Sequence, residues 1–254
     1  MPSDTTLLGC RHKTNGRGEL VAQILVGALQ PGSRPIGIGI NGARRGVAMI
    51  AGVPRGVVVK PCTPAELAAE CFCTLLADAL NVLTPECAVV YEGGVAHFGT
   101  VDLHAPNLMQ QFCTNPLTPN AAELRALVDE LSQWLGIGRL IALDILIRNA
   151  DRHPGNLLTD GQDYWAIDHG RSLGLHPYGG HKSYRLIANY SDPLTCANIE
   201  AGAISNALTF PPGCETNSQH ELEAHALLAA HAQPFAHVVA GYLPGLAASI
   251  KGLL

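Results

Sequence analysis

Asp151 and Asn156 stand five residues apart in the run Asn149-Ala150-Asp151-Arg152-His153-Pro154-Gly155-Asn156, and Asp168 follows in Ile167-Asp168-His169-Gly170. An acid, an amide and a second acid in that order are what phosphoryl transfer asks for. The first Asp takes the proton of an attacking hydroxyl, and the Asn oxygen and the second Asp hold magnesium against the phosphates. Magnesium is a hard cation that wants oxygen ligands, so carboxylate and amide fill these places rather than His or Cys. Spacing alone decides nothing. With 27 Gly in 254 residues, and the Asp and Asn that accompany them, chance supplies roughly half a D-x4-N and about one D-x-G. Two surface turns rich in Asp, Asn and Gly would look the same in isolation.

The flanks carry the argument. Leu140 to Ile147 is an apolar, helix-compatible run directly before the D-x4-N, and Tyr164 to Ile167 is a strand-like run closed by the D-x-G. A loop between a buried helix and a metal-bearing strand predicts both. Asp144, the one acid between Arg139 and Arg148, reads as a structural hydrogen-bonding group in that helix, with a second catalytic acid as the alternative.

Upstream, Val57-Val58-Val59-Lys60 ends an apolar strand on a cation just before a helix start. Beside a nucleotide, such a Lys neutralises α- and β-phosphates, although a snorkelling surface Lys is the common alternative. Thr63-Pro64-Ala65-Glu66 announces the helix with an N-cap, a Pro in the first turn and a capping-box Glu, and Leu67, Cys71, Leu75 and Ala79 then run down one face. Glu66 is engaged in the cap, so Glu70, one turn on, is the expected ion-pair partner of Lys60, with a solvated helix carboxylate as the other option.

Two stretches could place backbone amides around phosphate. Gly37-Ile38-Gly39-Ile40-Asn41-Gly42 matches G-x-G-x-x-G but has no helix pattern after it, so the dinucleotide-fold reading loses its context. Gly32-Ser33-Arg34-Pro35 is the second candidate, and either could be an ordinary hairpin turn.

Around these, Leu20 to Leu29 reads as a strand or short helix, and Pro31 to Lys60 as antiparallel strands with Asn41-Gly42 as the best hairpin signal. Val82 to Val90 leads to another strand, His97-Phe98-Gly99-Thr100 to a loop, and residues 101 to 119 to an irregular connection. Asn120-Ala121-Ala122-Glu123 opens a capped helix to about Leu135. His176 to Tyr190 shows no helix pattern, and Ser218-Gln219-His220-Glu221 opens a last helical region interrupted by Pro234 and Pro244.

Composition bounds the function class. Hydrophobic residues make 47% and charged ones 15%, which predicts a packed chain, and the net charge of −5 argues against nucleic-acid binding through a basic surface. No apolar run is long enough to span a membrane, and the first residues lack an export signal, so a cytoplasmic protein is expected. The eight cysteines read as small buried hydrophobes, and His220, His225, His231 and His237 share no helical face that would gather a metal.

The order Lys60, Glu70, Asp151-Arg152-His153-Pro154-Gly155-Asn156, Ile167-Asp168-His169-Gly170 resembles the HipA-like kinases, relatives of protein and phosphoinositide kinases that carry D-R-H-x-x-N. Gly32-Ser33-Arg34-Pro35 looks like that family's phosphate loop and His97-Phe98-Gly99-Thr100 like its inter-lobe motif, so the resemblance spans roughly residues 32 to 174. It implies a single α+β, bilobal protein-kinase-like domain: a small antiparallel β N-lobe at about 20–105 and a mostly helical C-lobe at about 106–254. It also implies the compact kinase core, without the separate N-terminal subdomain of full-length HipA proteins, and with Arg44 to Gly56 as an extra hairpin. The function implied is an ATP- and Mg2+-dependent serine/threonine kinase of the toxin-antitoxin type, with a phosphoacceptor protein and a cognate antitoxin as partners. Asp151 would be the base, Asn156 and Asp168 the metal ligands, Lys60 and Glu70 the phosphate-contacting pair, and Gly32-Ser33 or Gly37, Gly39 and Gly42 the phosphate lid. A lipid kinase and a nucleotide-binding pseudokinase are the alternatives.

Overall fold

The computed structural model describes residues 12–14, 20–36, 42–149, 151–177 and 182–254. In chain order the strands are β1 (His12–Thr14), β2 (Leu20–Ala22), β3 (Leu25–Leu29), β4 (Arg34–Pro35), β5 (Arg44–Ile50), β6 (Val53–Lys60), β7 (Cys87–Glu92), β8 (Val95–Val101), β9 (Leu157–Thr159) and β10 (Tyr164–Ala166). The helices are α1 (Pro64–Ala79), between β6 and β7, then α2 (Leu108–Phe112), α3 (Ala121–Gln133), α4 (Ile137–Leu146), α5 (Lys182–Tyr190), α6 (Pro193–Thr209), α7 (Thr216–Glu223), α8 (Ala229–Tyr242) and α9 (Leu246–Ile250). Strands dominate before residue 102 and helices after it, an α+β arrangement.

The main sheet runs β3-β7-β8-β6-β5-β4, and β3 also pairs with β5, so five strands close into a barrel with β4 hanging on β5. The expected purely antiparallel sheet is corrected here: β3 lies parallel to β7, Leu25 opposite Ala88 and Gly27 opposite Val90. Closure needs that pairing, because β3 already uses its other edge on β5, and a strand left open would expose a row of unpaired backbone groups. The interior is filled by Leu25, Leu29, Ala48, Ile50, Val57, Val59, Ala88 and Val90. Successive side chains point to opposite faces of a strand. Val57 and Val59 point inward, so Lys60 falls on the outer face, and this alternation aims the cation out of the barrel.

Against that outer face lies α1. Its capping box forms as expected, with Thr63 accepting from the Glu66 amide and Glu66 from the Thr63 amide. The expected single buried face is too modest: residues 67 to 77 are all buried, while Ala79 is exposed. The cause is position. Cys87, Val89 and Phe98 of the barrel's outer face join α1 in one core that continues through α3, α4, α6, α7 and α8. Phe72 of α1 meets Phe235 of α8 edge to face, 5.8 Å between centroids.

Other expectations need correction. Arg44 to Gly56 is no extra hairpin, because its second strand is β6 itself and runs on unbroken to Lys60, turning at Ala51-Gly52. Asn41, half of the expected hairpin signal, lies outside the described residues. His97-Phe98-Gly99-Thr100 is not a loop but the middle of β8, paired to β7 and β6. Gly99 sits there because Val90 fills the space a Cβ would need, 2.6 Å away. Residues 101 to 119 contain the capped helix α2. Helix α5 forms where none was expected, with Tyr184 and Ile187 buried. The last region opens at Thr216 rather than Ser218, and Pro234 lies inside α8 without ending it. The described cysteines are free thiols, all buried but half-buried Cys62.

Candidate active site

Lys60, Glu70 and Asp168 form one cluster, and the loop that carries Asp151 and Asn156 is tied to it through Arg152. Strand β6 delivers Lys60, α1 delivers Glu70, the loop after α4 delivers Asp151 and Asn156, and the turn after β10 delivers Asp168. Lys60 Nζ donates to Glu70 Oε1 and, at 2.5 Å, to Asp168 Oδ1. Glu70 is fully buried and its second oxygen accepts from the His169 amide at 2.8 Å. One carboxylate on α1 thus binds the barrel through Lys60 and the Asp168 turn through its backbone. Asp168 has φ of 62°, a left-handed conformation that costs an L-residue of this type on the order of 1 kcal/mol and is held by its surroundings.

Charge follows the geometry. Burial opposes the Lys60 ammonium, but Glu70 and Asp168 outweigh it and hold its pKa above the ordinary lysine value. Burial pushes the Glu70 carboxyl up against the pull of Lys60. At Asp168 burial also works upward, yet the Lys60 ammonium wins and the pKa is lowered, so Asp168 keeps its charge at neutral pH.

The D-R-H segment is organised by Arg152, which is entirely buried. Its Nε and Nη2 donate to Asp144 at 2.9 and 3.1 Å, and its Nη1 donates to the carbonyls of Asn156 and Ile167 at 2.8 and 2.7 Å. Arg152 therefore ties the end of the Asp151–Asn156 loop to the residue before Asp168. Asp144, on α4, also accepts from Asn149 Nδ2 at 3.0 Å and from the Tyr184 hydroxyl of α5 at 2.6 Å. The structural role read for Asp144 in the sequence is the one it has. His169 Nδ1 lies 3.2 Å from Arg152 Nη2. Arginine only donates, so Nδ1 accepts and the ring proton sits on Nε2. Burial, and then the Arg152 charge, bring the His169 pKa down to about 3, so the ring is neutral at ordinary pH.

Within the loop, Asn149 Oδ1 accepts from the Asp151 amide at 3.0 Å, and Asn156 Nδ2 donates to the Asp151 carbonyl at 3.0 Å. The Asn156 amide nitrogen is committed, which leaves its oxygen as the group suited to a cation. Asp151 Oδ2 pairs with Arg171 Nη1 at 3.3 Å.

The two phosphate-loop candidates part company. Ser33 accepts from Arg44 Nη1 at 3.1 Å and packs beside Gly46, whose ladder partner Val57 precedes Lys60 by three residues. Gly42 instead lies against Pro61, next to Lys60, 3.6 Å from where its Cβ would be. Gly32 has φ of 100° and open space around it. Gly37 and Gly39 lie outside the described residues.

Sequence reasoning gave no role to Arg152, Tyr184 or Arg171. A signal existed for Arg152: one acid in an apolar helix needs a buried donor, and an Arg follows eight residues later. Tyr184 stands 40 residues from Asp144 and left no local trace.

No protein-family model matches the sequence, and no curated protein is similar enough in sequence to match it. Solved structures do resemble it. The Helicobacter pylori proinflammatory kinase CtkA superposes with a TM-score of 0.58 at 10% identity, covering 89% of this chain and 93% of its own. HipA of Shewanella oneidensis, in its complex with HipB and operator DNA, superposes with a TM-score of 0.52 at 9% identity, covering 87% of this chain and 68% of its own. At such identities a likeness carries the fold alone, and the fold of this chain is the one it shares with these two structures.

Proposed function

We propose that the protein is an ATP- and magnesium-dependent phosphotransferase acting on protein serine or threonine hydroxyls. The observation that carries the reading is the Lys60–Glu70–Asp168 cluster. A strand cation is held by a buried helix carboxylate and turned toward a second, charged carboxylate, on a fold shared with two kinases. The donor set suits the group it would hold. Asn156 and Asp168 offer hard oxygens for magnesium, which would supply charge neutralisation between the phosphates. Lys60 would bind the α- and β-phosphates, with Glu70 fixing its direction. Asp151 would orient the acceptor hydroxyl and take its proton. Gly42, beside Pro61, fits a phosphate-covering turn better than Gly32-Ser33, because it stands at the Lys60 end of the barrel. The work of these groups is positioning and charge, and it needs no covalent intermediate.

On this reading residues up to about 105 act as a nucleotide lobe and the rest as an acceptor lobe. The HipA structure includes HipB, so a masking partner of antitoxin type is the partner class the reading implies. Among the described residues no helix is long and apolar enough to cross a membrane.

The test is thermal unfolding with and without Mg·ATP, followed by mass spectrometry after incubation with ATP and a serine/threonine-containing protein mixture. At 100 times the dissociation constant, binding should add about 2.7 kcal/mol of stability. Wild type should gain that stability and transfer one phosphoryl group, and Asp168→Ala should do neither. A wild type indifferent to Mg·ATP would refute the proposal.

A further inference from the structure

Arg171 directly follows the Asp168-His169-Gly170 turn, and its side chain is 56% exposed. Its footing is rigid. The His169 amide is bonded to Glu70, the Ser172 amide donates to the His169 carbonyl at 3.1 Å, and Gly170 backs onto Glu70 so closely that a Cβ would lie 3.1 Å from Oε1. From there its Nη1 reaches Asp151 Oδ2 at 3.3 Å. As a stability device the contact is weak, since an exposed pair contributes about 0–1 kcal/mol. The pair makes chemical sense if the guanidinium has a second duty at the same spot.

Among the described residues, the two cations next to this segment, Arg152 and Lys60, already have partners. Arg152 is buried and committed to Asp144 and two carbonyls, and Lys60 is held between Glu70 and Asp168 on the nucleotide side. Arg171 brings a planar fork of five N–H donors to the acceptor side. We propose that Arg171 is a catalytic residue, whose guanidinium binds the equatorial oxygens of the phosphoryl group as it passes to the hydroxyl held by Asp151. The inference rests on the phosphotransfer reading above. In the step, the acceptor oxygen bonds to the γ-phosphorus and the bond from that phosphorus to the β–γ bridging oxygen breaks. Its electron pair leaves with ADP, and the hydroxyl proton goes to Asp151. The phosphorus is then one bond from the oxygen that Asp151 holds, within reach of a side chain that touches Asp151. Charge on the three equatorial oxygens is what a guanidinium fork matches.

The test needs no identified acceptor. Binding of Mg·ADP, alone and with aluminium fluoride as a planar phosphoryl mimic, is measured by calorimetry for wild type, Arg171→Ala and Arg171→Lys. Transition-state mimics bind at least about 100-fold tighter than ground-state ligands, so aluminium fluoride should tighten wild-type Mg·ADP binding by that order. Arg171→Ala should keep Mg·ADP affinity within about twofold and lose at least about tenfold of the tightening, with Arg171→Lys between, as a point charge replaces a fork. If Arg171→Ala retains the full tightening, or binds the mimic better than wild type, Arg171 is a latch on Asp151 or a bystander and the inference falls. Wild type that binds Mg·ADP with no tightening overturns it too. Wild type that binds no nucleotide removes the phosphotransfer reading itself, and this inference with it, which tells the two failures apart.

Discussion

Asp144→Asn isolates one charge at the point where the Asp151–Asn156 loop, the Asp168 turn and α5 converge. The Asp144 carboxylate accepts from Arg152 Nε and Nη2, Asn149 Nδ2 and the Tyr184 hydroxyl at 2.6 to 3.1 Å. Asn keeps the shape and one oxygen but presents an amide to donors. The hydrogen bonds alone would account for about 0.5–1.5 kcal/mol each if neutral partners were exchanged. The larger effect is the uncompensated cation: Arg152 is fully buried, and breaking such a pair from one side costs about 3–5 kcal/mol. For a chain of this size each kcal/mol moves Tm by about 2–4 °C, so a fall of about 6–20 °C is expected. Thermal unfolding measures the fall in Tm, and urea unfolding by circular dichroism at neutral pH, with the m value checked for constancy, measures the loss in free energy. The companion variant Asp144→Leu/Arg152→Met removes both charges. It should be less destabilised than the sum of its single changes by at least about 2 kcal/mol, though not restored, because the Asn156 and Ile167 carbonyls lose their donor. A loss under about 1 kcal/mol for Asp144→Asn, or additivity in the pair, would refute the view that this charge organises the site.

Other changes read other links. Tyr184→Phe removes one of the donors to Asp144 and should cost about 1–2 kcal/mol in the same urea assay, with Mg·ADP affinity unchanged. Gly138→Ala should cost about 1–3 kcal/mol, because a Cβ there would lie 2.8 Å from the Gly202 backbone and force α4 and α6 apart. An unchanged melting curve would show that the two helices do not cross so closely. Lys60→Met should abolish the thermal shift produced by Mg·ATP, and a retained shift would free Lys60 from any phosphate contact. Glu66→Gln tests the cap of α1. The Thr63 backbone N–H first, and its hydroxyl after it, hold the Glu66 carboxyl below its ordinary pKa. The folded-state pKa therefore lies under the unfolded one. The contribution is present above the ordinary carboxylate pKa and is lost as pH falls through the folded value. Wild type should exceed the variant by about 0.5–1 kcal/mol near neutrality, with the gap closing in acid, and a gap that widens in acid would reverse the assignment.

The candidate site was legible where one short element carries its own signal. Thr63 and Glu66 spell out the start of α1 within four residues, and that start fixes Glu70 one turn on. The alternation in Val57-Val58-Val59-Lys60 sets the face on which the cation lies. Asp151 and Asn156 sit on one turn joined by a side-chain bond to the Asp151 carbonyl, so their spacing is itself local geometry. What stayed hidden was decided between distant segments. The parallel pairing of residues 25–28 with 88–91 closes the barrel across more than sixty residues and leaves no trace in either strand. Gly99 reads as a breaker, yet it is a strand residue whose missing Cβ makes room for Val90. In α5 the buried Tyr184 and Ile187 stand at helical spacing, but the Gly- and His-rich run before them hides where the helix starts, and Tyr184 reaches the network around Asp144.

The same contrast explains why Glu70 matters more than its motif role implies. Its two oxygens engage the Lys60 ammonium from the barrel and the His169 amide from the turn after β10, 99 residues away. The helix that carries it is buried between the barrel and the C-terminal helices, so Glu70 cannot move without α1. Any displacement of α1 would break both contacts together, free Lys60 from its direction and release the backbone that holds Asp168 and Arg171. Lys60 of the barrel and the Asp168–Arg171 segment are thus coupled through one helix, and the packing of α1 against Phe235 is part of how the cluster is kept in order.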